Sequence, residues 1–349
     1  MKMFSCLESL EDLHLSHNSL SVRSTAISPL PPTLSTLELS SCNMKEFPHF
    51  PRDAEISLDS VDLSNNDIEG KIPRWIGSVG SYLNISHNRL TGGLEQLPWN
   101  NILYLDLQYN KLNGSLPTSI CYSRSLEVLN LSHNNIRGIL PICRTNLTDL
   151  DLSLFGLSVF DMRMNNIQGI IPATISNFRN LKTINLNGNR LEGTIPSSFA
   201  EFDSLQVLDI GNNQINDTFP RCLEALTNLQ VLVLKSNKCY GLIDKSSKIK
   251  HPFPSLRIID ISYNEFSGPL PVIYFQSFKA MMNVGVNKKE AAYMEYKTDT
   301  AFYSDSTDLV IKGVNIEMVR IFIAVSGWRE CIFHSSFEVP GSVNLTGLD

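Results

Sequence analysis

The sequence predicts an α/β solenoid, a chain wound into about eleven similar coils whose short strands stack into one long parallel sheet. Three observations predict it. A frame spelled L-x-x-L-x-L-x-x-N-x-L-x-G-x-I-P recurs along most of the chain, as in "LKTINLNGNRLEGTIP" (181–196) and "SLQVLDIGNNQINDTFP" (204–220). Its polar anchor falls at Asn18, Cys42, Asn66, Asn88, Asn110, Asn134, Asn165, Asn189, Asn213, Asn237 and Asn264, mostly 22 to 24 residues apart. A Gly and a Pro then follow at fixed offsets, with Gly at 70, 92, 114, 138, 169, 193 and 268 and Pro at 73, 117, 141, 172, 196, 220 and 271.

Each part of the frame has a physical task. The L-x-x-L-x-L alternation, as in Leu205, Leu208 and Ile210, sends apolar side chains to one face of a short strand. One coil cannot bury that face alone, whereas stacked coils can. An Asn at the turn carries two N–H donors and a carbonyl acceptor, enough to satisfy loop backbone of its own coil and a neighbour, and a small Cys at position 42 can stand in as a donor. The Gly suits a backbone of positive φ, and the Pro fixes φ as the chain turns to the outer side. The 31-residue step from Asn134 to Asn165 and the 27-residue step from Asn237 to Asn264 hold irregular inserts. The first contains "LTDLDLSLFGL" (147–157), where Phe155 cannot donate from the anchor place, so 142–157 reads as a half-formed coil with a local distortion.

Composition sets limits. At 349 residues the chain exceeds an ordinary single core, a ceiling that a solenoid escapes. Its net charge of −6 excludes the basic surface that nucleic acid requires. No run of ~20 apolar residues is present to span a bilayer, "VRIFIAV" (319–325) being far too short. The seven cysteines are scattered, fit no metal spacing and read mostly as small buried apolar residues, so no disulfide framework, metal or cofactor is expected. Six N-x-S/T sequons, at Asn84, Asn113, Asn130, Asn146, Asn216 and Asn344, fit a glycosylated extracellular protein.

The frame with G-x-I-P on its outer side resembles the plant-specific class of leucine-rich repeat over residues 7 to 271. The non-repeating stretch 272–321 resembles the island of plant receptor-like proteins of the Cf disease-resistance type, including Tyr303 followed by eight residues and then Lys312-Gly313. The resemblance implies a plant-type superhelix with a concave parallel sheet (1–271), an island (272–321) and a degenerate or truncated repeat tail (322–349). It further implies a non-enzymatic receptor module at the plasma membrane, facing outward, in defence or development signalling. Its ligand would be a peptide, a glycan or a microbial protein. It would signal through leucine-rich-repeat receptor kinase co-receptors, and Tyr303, Lys312 and Gly313 would dock the island or a co-receptor against the repeats. The family's signal peptide, N-terminal cap and membrane anchor have no counterpart in the text, so the chain reads as an internal fragment or a damaged gene copy. A soluble inhibitor of a secreted microbial enzyme is the competing function, and the island argues against it.

Exposed strand positions form a column reading His14, Glu38, Asp62, Asn84, Asp106, Asn130, Asp161, Asn185, Asp209, Val233 and Asp260. Paired acids invite a glycosidase reading. Yet "LDLS" is the ordinary spelling of these coils and the acids are expected on an open face, so catalysis is set aside. His14, His17, His87 and His133 lie too far apart in the lattice to share one metal. Residues departing from the ordinary spelling are the candidate ligand-binding set: Tyr82, His87, Tyr104, Asp106, Gln108 and Tyr109, in adjacent coils, where aromatic anchors supply area at small entropic cost. Arg163, Met164, Lys182, Lys235 and Arg257 read as a more basic stretch further along.

Overall fold

The computed structural model describes residues 7–18, 31, 33–48, 50, 57–143, 156–243, 249–269, 272–278, 280, 294–297, 302–311, 314–318, 321 and 330–332. The chain divides into two compact units, one of Met1–Pro141, Leu154–Leu157 and Met162–Asn166, the other of Ile142–Ser153, Ser158–Asp161 and Ile167–Asp349.

In the first unit the strands Asp12–His14, Thr36–Glu38, Ser60–Asp62, Tyr82–Asn84, Tyr104–Asp106 and Val128–Asn130 pair in parallel and in chain order, first residue against first residue. The alternation sends Leu37, Val61, Leu83, Leu105 and Leu129 inward, all at 0% exposure. The anchors form the expected ladder. Asn88 Nδ2 donates to Leu63 O of the previous coil at 3.0 Å and to Ile85 O and Ser86 O of its own, while its Oδ1 accepts from Ile68 N at 2.9 Å. Cys42 keeps the donor role through Sγ to Leu15 O at 3.1 Å. A lateral sheet of Glu69–Lys71, Arg89–Gly92 and Lys111–Leu112 follows, its Gly70 and Gly92 at φ 95° and 91°. Behind Pro73 and Pro117 the outer side is built of 3-10 turns at Arg74–Ser78 and Thr118–Tyr122.

The second unit repeats this plan with Val159–Asp161, Thr183–Asn185, Val207–Asp209, Val231–Val233 and Ile258–Asp260, again parallel and in register. After the island, Glu330–Ile332 pairs in parallel with Ile258–Asp260, Cys331 opposite Ile259. The parallel ladder is therefore extended by one strand from beyond the island. Within the island, the helix Val272–Ser277 is pinned by Tyr274, whose hydroxyl donates to Glu224 Oε1 at 2.5 Å and whose ring lies 5.6 Å from Phe219. Two antiparallel hairpins come next, Glu295–Lys297 with Phe302–Ser304 and Thr307–Ile311 with Val314–Met318.

Cys121 and Cys143 are disulfide-bonded, a correction to the reading of the cysteines as apolar filler, while Cys42, Cys222 and Cys239 are free thiols. Phe155 and most of the irregular coil lie outside the described residues. Among the described residues no helix is long and apolar enough to cross a membrane.

Candidate recognition surfaces

In the first unit, in-register pairing sets Tyr82 against Tyr104, and their rings stack at 4.9 Å and 15°. A second column arises at the residue just before each anchor, where the backbone is left-handed at His87, Tyr109 and His133 (φ 51°, 52° and 53°). Their three rings stack in succession, His87 to Tyr109 at 4.6 Å and Tyr109 to His133 at 4.0 Å. Tyr109 is 37% exposed and Tyr104 only 5%, so Tyr104 backs the surface that Tyr82 and Tyr109 present. Burial pushes the Tyr82 and Tyr104 phenols up, so both stay protonated, and it pushes His87 down toward the neutral imidazole.

Asp106 is buried beside these rings. Its carboxylate accepts from Gln108 N at 3.0 Å, from Gln108 Nε2 at 3.4 Å and from Asn130 Nδ2 at 3.4 Å. These donors hold the carboxylate in place. The surface can therefore offer aromatic area, an imidazole and polar edges to a ligand. His133 belongs to it and sequence reasoning missed that, although its place one residue before an anchor, shared with His87 and Tyr109, was the available signal.

In the second unit the concave face is covered. Tyr303, 5% exposed, donates its hydroxyl to Asp161 Oδ2 at 3.0 Å. Thr183 Oγ1 donates to Asp305 Oδ1 at 2.7 Å, Asn185 Nδ2 to Ser306 O at 3.2 Å, and Thr307 Oγ1 to Asp209 Oδ2 at 2.7 Å. Met294 and Ile321 of the island complete an apolar cluster with Val207, Val231 and Val233. The island is tied together there by Met294 N to Ile321 O, Asp305 N to Met294 O and Ile321 N to Asp305 O.

Asp161 and Asp209 are thus fully buried, and so is Asp260, which corrects the expectation that the column acids stand on an open face. Burial pushes the Asp209 carboxyl up to about 6, against the opposing pull of Thr307, Gly211, Asn187 and Lys235. The basic stretch is not a surface either. Arg163 and Lys235 are buried, the Lys182 ammonium sits 4.9 Å from the Tyr296 ring centre, Arg257 is half-buried, and of the five only Met164 is exposed. Lys312 and Gly313 lie outside the described residues, as do the sequons at Asn146 and Asn344. Asn113 and Asn216 are exposed, Asn84 half-buried and Asn130 only 2% exposed. No group of His, Cys, Asp or Glu among the described residues is arranged to hold a metal ion.

Comparison with known proteins agrees with this architecture. A family model described as "Leucine rich repeat" matches residues 179–238, and a second, "Leucine Rich Repeat", matches 57–79, 101–123 and 125–147. Receptor-like protein 53 of Arabidopsis thaliana is 37% identical over 96% of this chain and 34% of its own length. Receptor-like protein 35 of the same plant is 35% identical over 97% of this chain and 36% of its own. The chain therefore spans about a third of the length of these curated relatives. Among solved structures, the ectodomain of the Arabidopsis thaliana receptor kinase GASSHO1/SCHENGEN3 in complex with CASPARIAN STRIP INTEGRITY FACTOR 2 superposes with a TM-score of 0.63 at 29% identity, over 77% of this chain and 32% of that one. The plant peptide hormone receptor RGFR1 in complex with RGF2 gives 0.62 at 28% identity, over 71% and 39%.

Proposed function

We propose, from the premise that this chain is a plant-type leucine-rich-repeat protein similar along nearly its whole length to plant receptor-like proteins, that it is an extracellular ligand-recognition module acting in defence or development signalling. The observation that carries the reading is that the two units use their sheets differently. One unit presents stacked aromatic columns with Tyr82, Tyr109 and His87 toward solvent, and in the other unit the island fills the face. Rigid aromatic rings with few rotatable bonds are what anchors at recognition sites require. The ligand is a peptide or a microbial protein segment, and a glycan would use the same rings. Two of the similar ectodomains are in complex with CASPARIAN STRIP INTEGRITY FACTOR 2 and with RGF2, the second in a peptide hormone receptor, which supports the peptide class. The disulfide-bonded Cys121 and Cys143 fit an oxidising, extracellular compartment. A kinase co-receptor supplies the catalytic output in this reading, and Lys312 and Gly313 are its proposed contact.

The test is binding of synthetic secreted-peptide candidates and of microbial culture filtrates to the wild-type chain and to the Tyr82→Ala/Tyr109→Ala double variant. Loss of an anchor of this kind costs about 2 kcal/mol, roughly thirtyfold in affinity. A ligand bound equally well by both proteins would move the site away from these columns. Ligand-dependent co-purification of a receptor kinase from plant membranes tests the signalling half.

A further inference from the structure

We propose that the protein carries N-linked oligosaccharide at Asn113 and Asn216, on its lateral face, and that Asn130 in the concave sheet carries none. This rests on the extracellular reading above and sorts its sequons by geometry. Asn113 and Asn216 occupy the same place in their coils, three residues beyond the anchors Asn110 and Asn213. In each the backbone is already engaged, Asn113 N donating to Gly92 O at 2.8 Å and Asn216 N to Gly193 O at 2.9 Å, so holding the coil makes no demand on the side chain. Both amides are exposed, as are the Ser115 and Thr218 hydroxyls that complete the sequons.

Asn130 is the opposite case. Its Oδ1 accepts from Ser132 N at 3.1 Å and from Ser132 Oγ at 2.8 Å, and its Nδ2 donates to Asp106 Oδ2 at 3.4 Å. The residue is 2% exposed and Ser132 0%. The sequon is folded onto itself and closed over.

The chemistry makes the difference decisive. In the transfer, the amide Nδ2 attacks the anomeric carbon of a lipid-diphosphate-linked oligosaccharide. The C–N bond forms as the C–O bond to the diphosphate breaks, the amide gives up one proton to the transferase, and the lipid diphosphate leaves. The product bears a sugar ring directly on Nδ2. At Asn113 and Asn216 that ring projects into water. At Asn130 it would have to occupy packed space and replace the donor to Asp106, so a chain modified there could not close its sheet.

The experiment directs the full chain into the secretory pathway of plant cells with an added leader and maps occupancy by peptide mass spectrometry after enzymatic deglycosylation in heavy-oxygen water. Asn113 and Asn216 should be labelled in the secreted protein, with Asn130 unlabelled. Asn113→Gln and Asn216→Gln should each remove one glycan's mass, and Asn130→Asp none. Label at Asn130 in the folded, secreted protein, or bare Asn113 and Asn216, overturns the proposal. Because the leader imposes the compartment, this outcome is independent of where the natural gene product resides. That second question is answered by localising the native protein.

Discussion

Replacing Thr307 with Val should loosen the island from the concave face, and by more at high pH than at low. Thr307 is 1% exposed and its hydroxyl donates to the buried Asp209 carboxylate at 2.7 Å, so Val keeps the shape and removes the donor. A hydrogen bond to a charged group contributes about 1.5–3 kcal/mol, and about 1 kcal/mol once the acceptor is neutral. The docked Asp209 carboxyl titrates near 6 rather than 3.8, so the docked state holds its proton more tightly than an undocked, solvated one would. Docking of the wild-type island is therefore strongest below about pH 4 and weakens as pH rises through 6. The gap between 3.8 and about 6 is worth roughly 3 kcal/mol at most. The assay is native-state hydrogen exchange at the amides of Met294, Asp305 and Ile321, whose bonds close the island on itself. At pH 8 the variant should exchange about 10- to 150-fold faster than wild type, and at pH 5 only several-fold faster. Lys182→Ala, which removes the cation over Tyr296, serves as a comparator worth about 0.5–1 kcal/mol. Equal exchange in wild type and the Thr307 variant at pH 8, or a larger effect at pH 5, would refute the view that a charged Asp209 is the socket for Thr307.

Three further outcomes follow from the same geometry. His14 Nδ1 lies 2.6 Å from Glu38 Oε2 and that bond raises its pKa, so Glu38→Gln should bring the His14 titration, followed by NMR, back down toward 6.5. Asn134→Ala strips the donor from Leu107 O, Leu131 O and Ser132 O and the acceptor from Leu112 N, and should cost about 2–4 kcal/mol in denaturant unfolding, with fastest exchange in the coils beside it. Tyr109→Ala should leave the unfolding midpoint nearly unchanged while reducing ligand affinity, because its exposed ring is stacked between the imidazoles of His87 and His133 at the surface. A large loss of stability in that variant would make the stack structural.

The solenoid was legible because its causes are local. An apolar alternation, an Asn with the right donors and a Gly at positive φ are each visible in one coil, and their period does the rest, down to Cys42 acting as a donor. The stacking of Tyr82 on Tyr104 could be read from register alone. The burial of Asp161 and Asp209 could not, because the covering residues come from the island: Tyr303 and Thr307 lie 142 and 98 positions from their partners. The disulfide-bonded state of Cys121 and Cys143 was hidden for a related reason, since spacing along the chain says little about which thiols a coil brings close.

The island contacts show how one repeat spelling serves two ends. Asp161, Thr183 and Asp209 sit in three successive strands, and Tyr303, Asp305 and Thr307, spaced by two residues, meet them in turn. Neighbouring strands are ~4.8 Å apart and two extended residues cover ~6.6 Å, so an extended segment crossing the sheet advances about one strand for each residue it turns inward. The path is not straight, because Asp161 and Asp209 end their strands while Thr183 begins its own. Side chains of unequal length absorb the zigzag, the long Tyr303 reaching to Asp161 and the short Thr307 lying directly on Asp209. A slip of one residue would turn Ser304 and Ser306 toward the sheet in place of these three, and Asp161 and Asp209 would each lose the hydroxyl donor that the island brings, at about 1–3 kcal/mol for each. The acids that look like ordinary repeat spelling are therefore what fixes the island's register. The coils that carry Tyr82, Tyr104 and Tyr109 have traded part of that spelling for rings, which leaves them suited to a ligand.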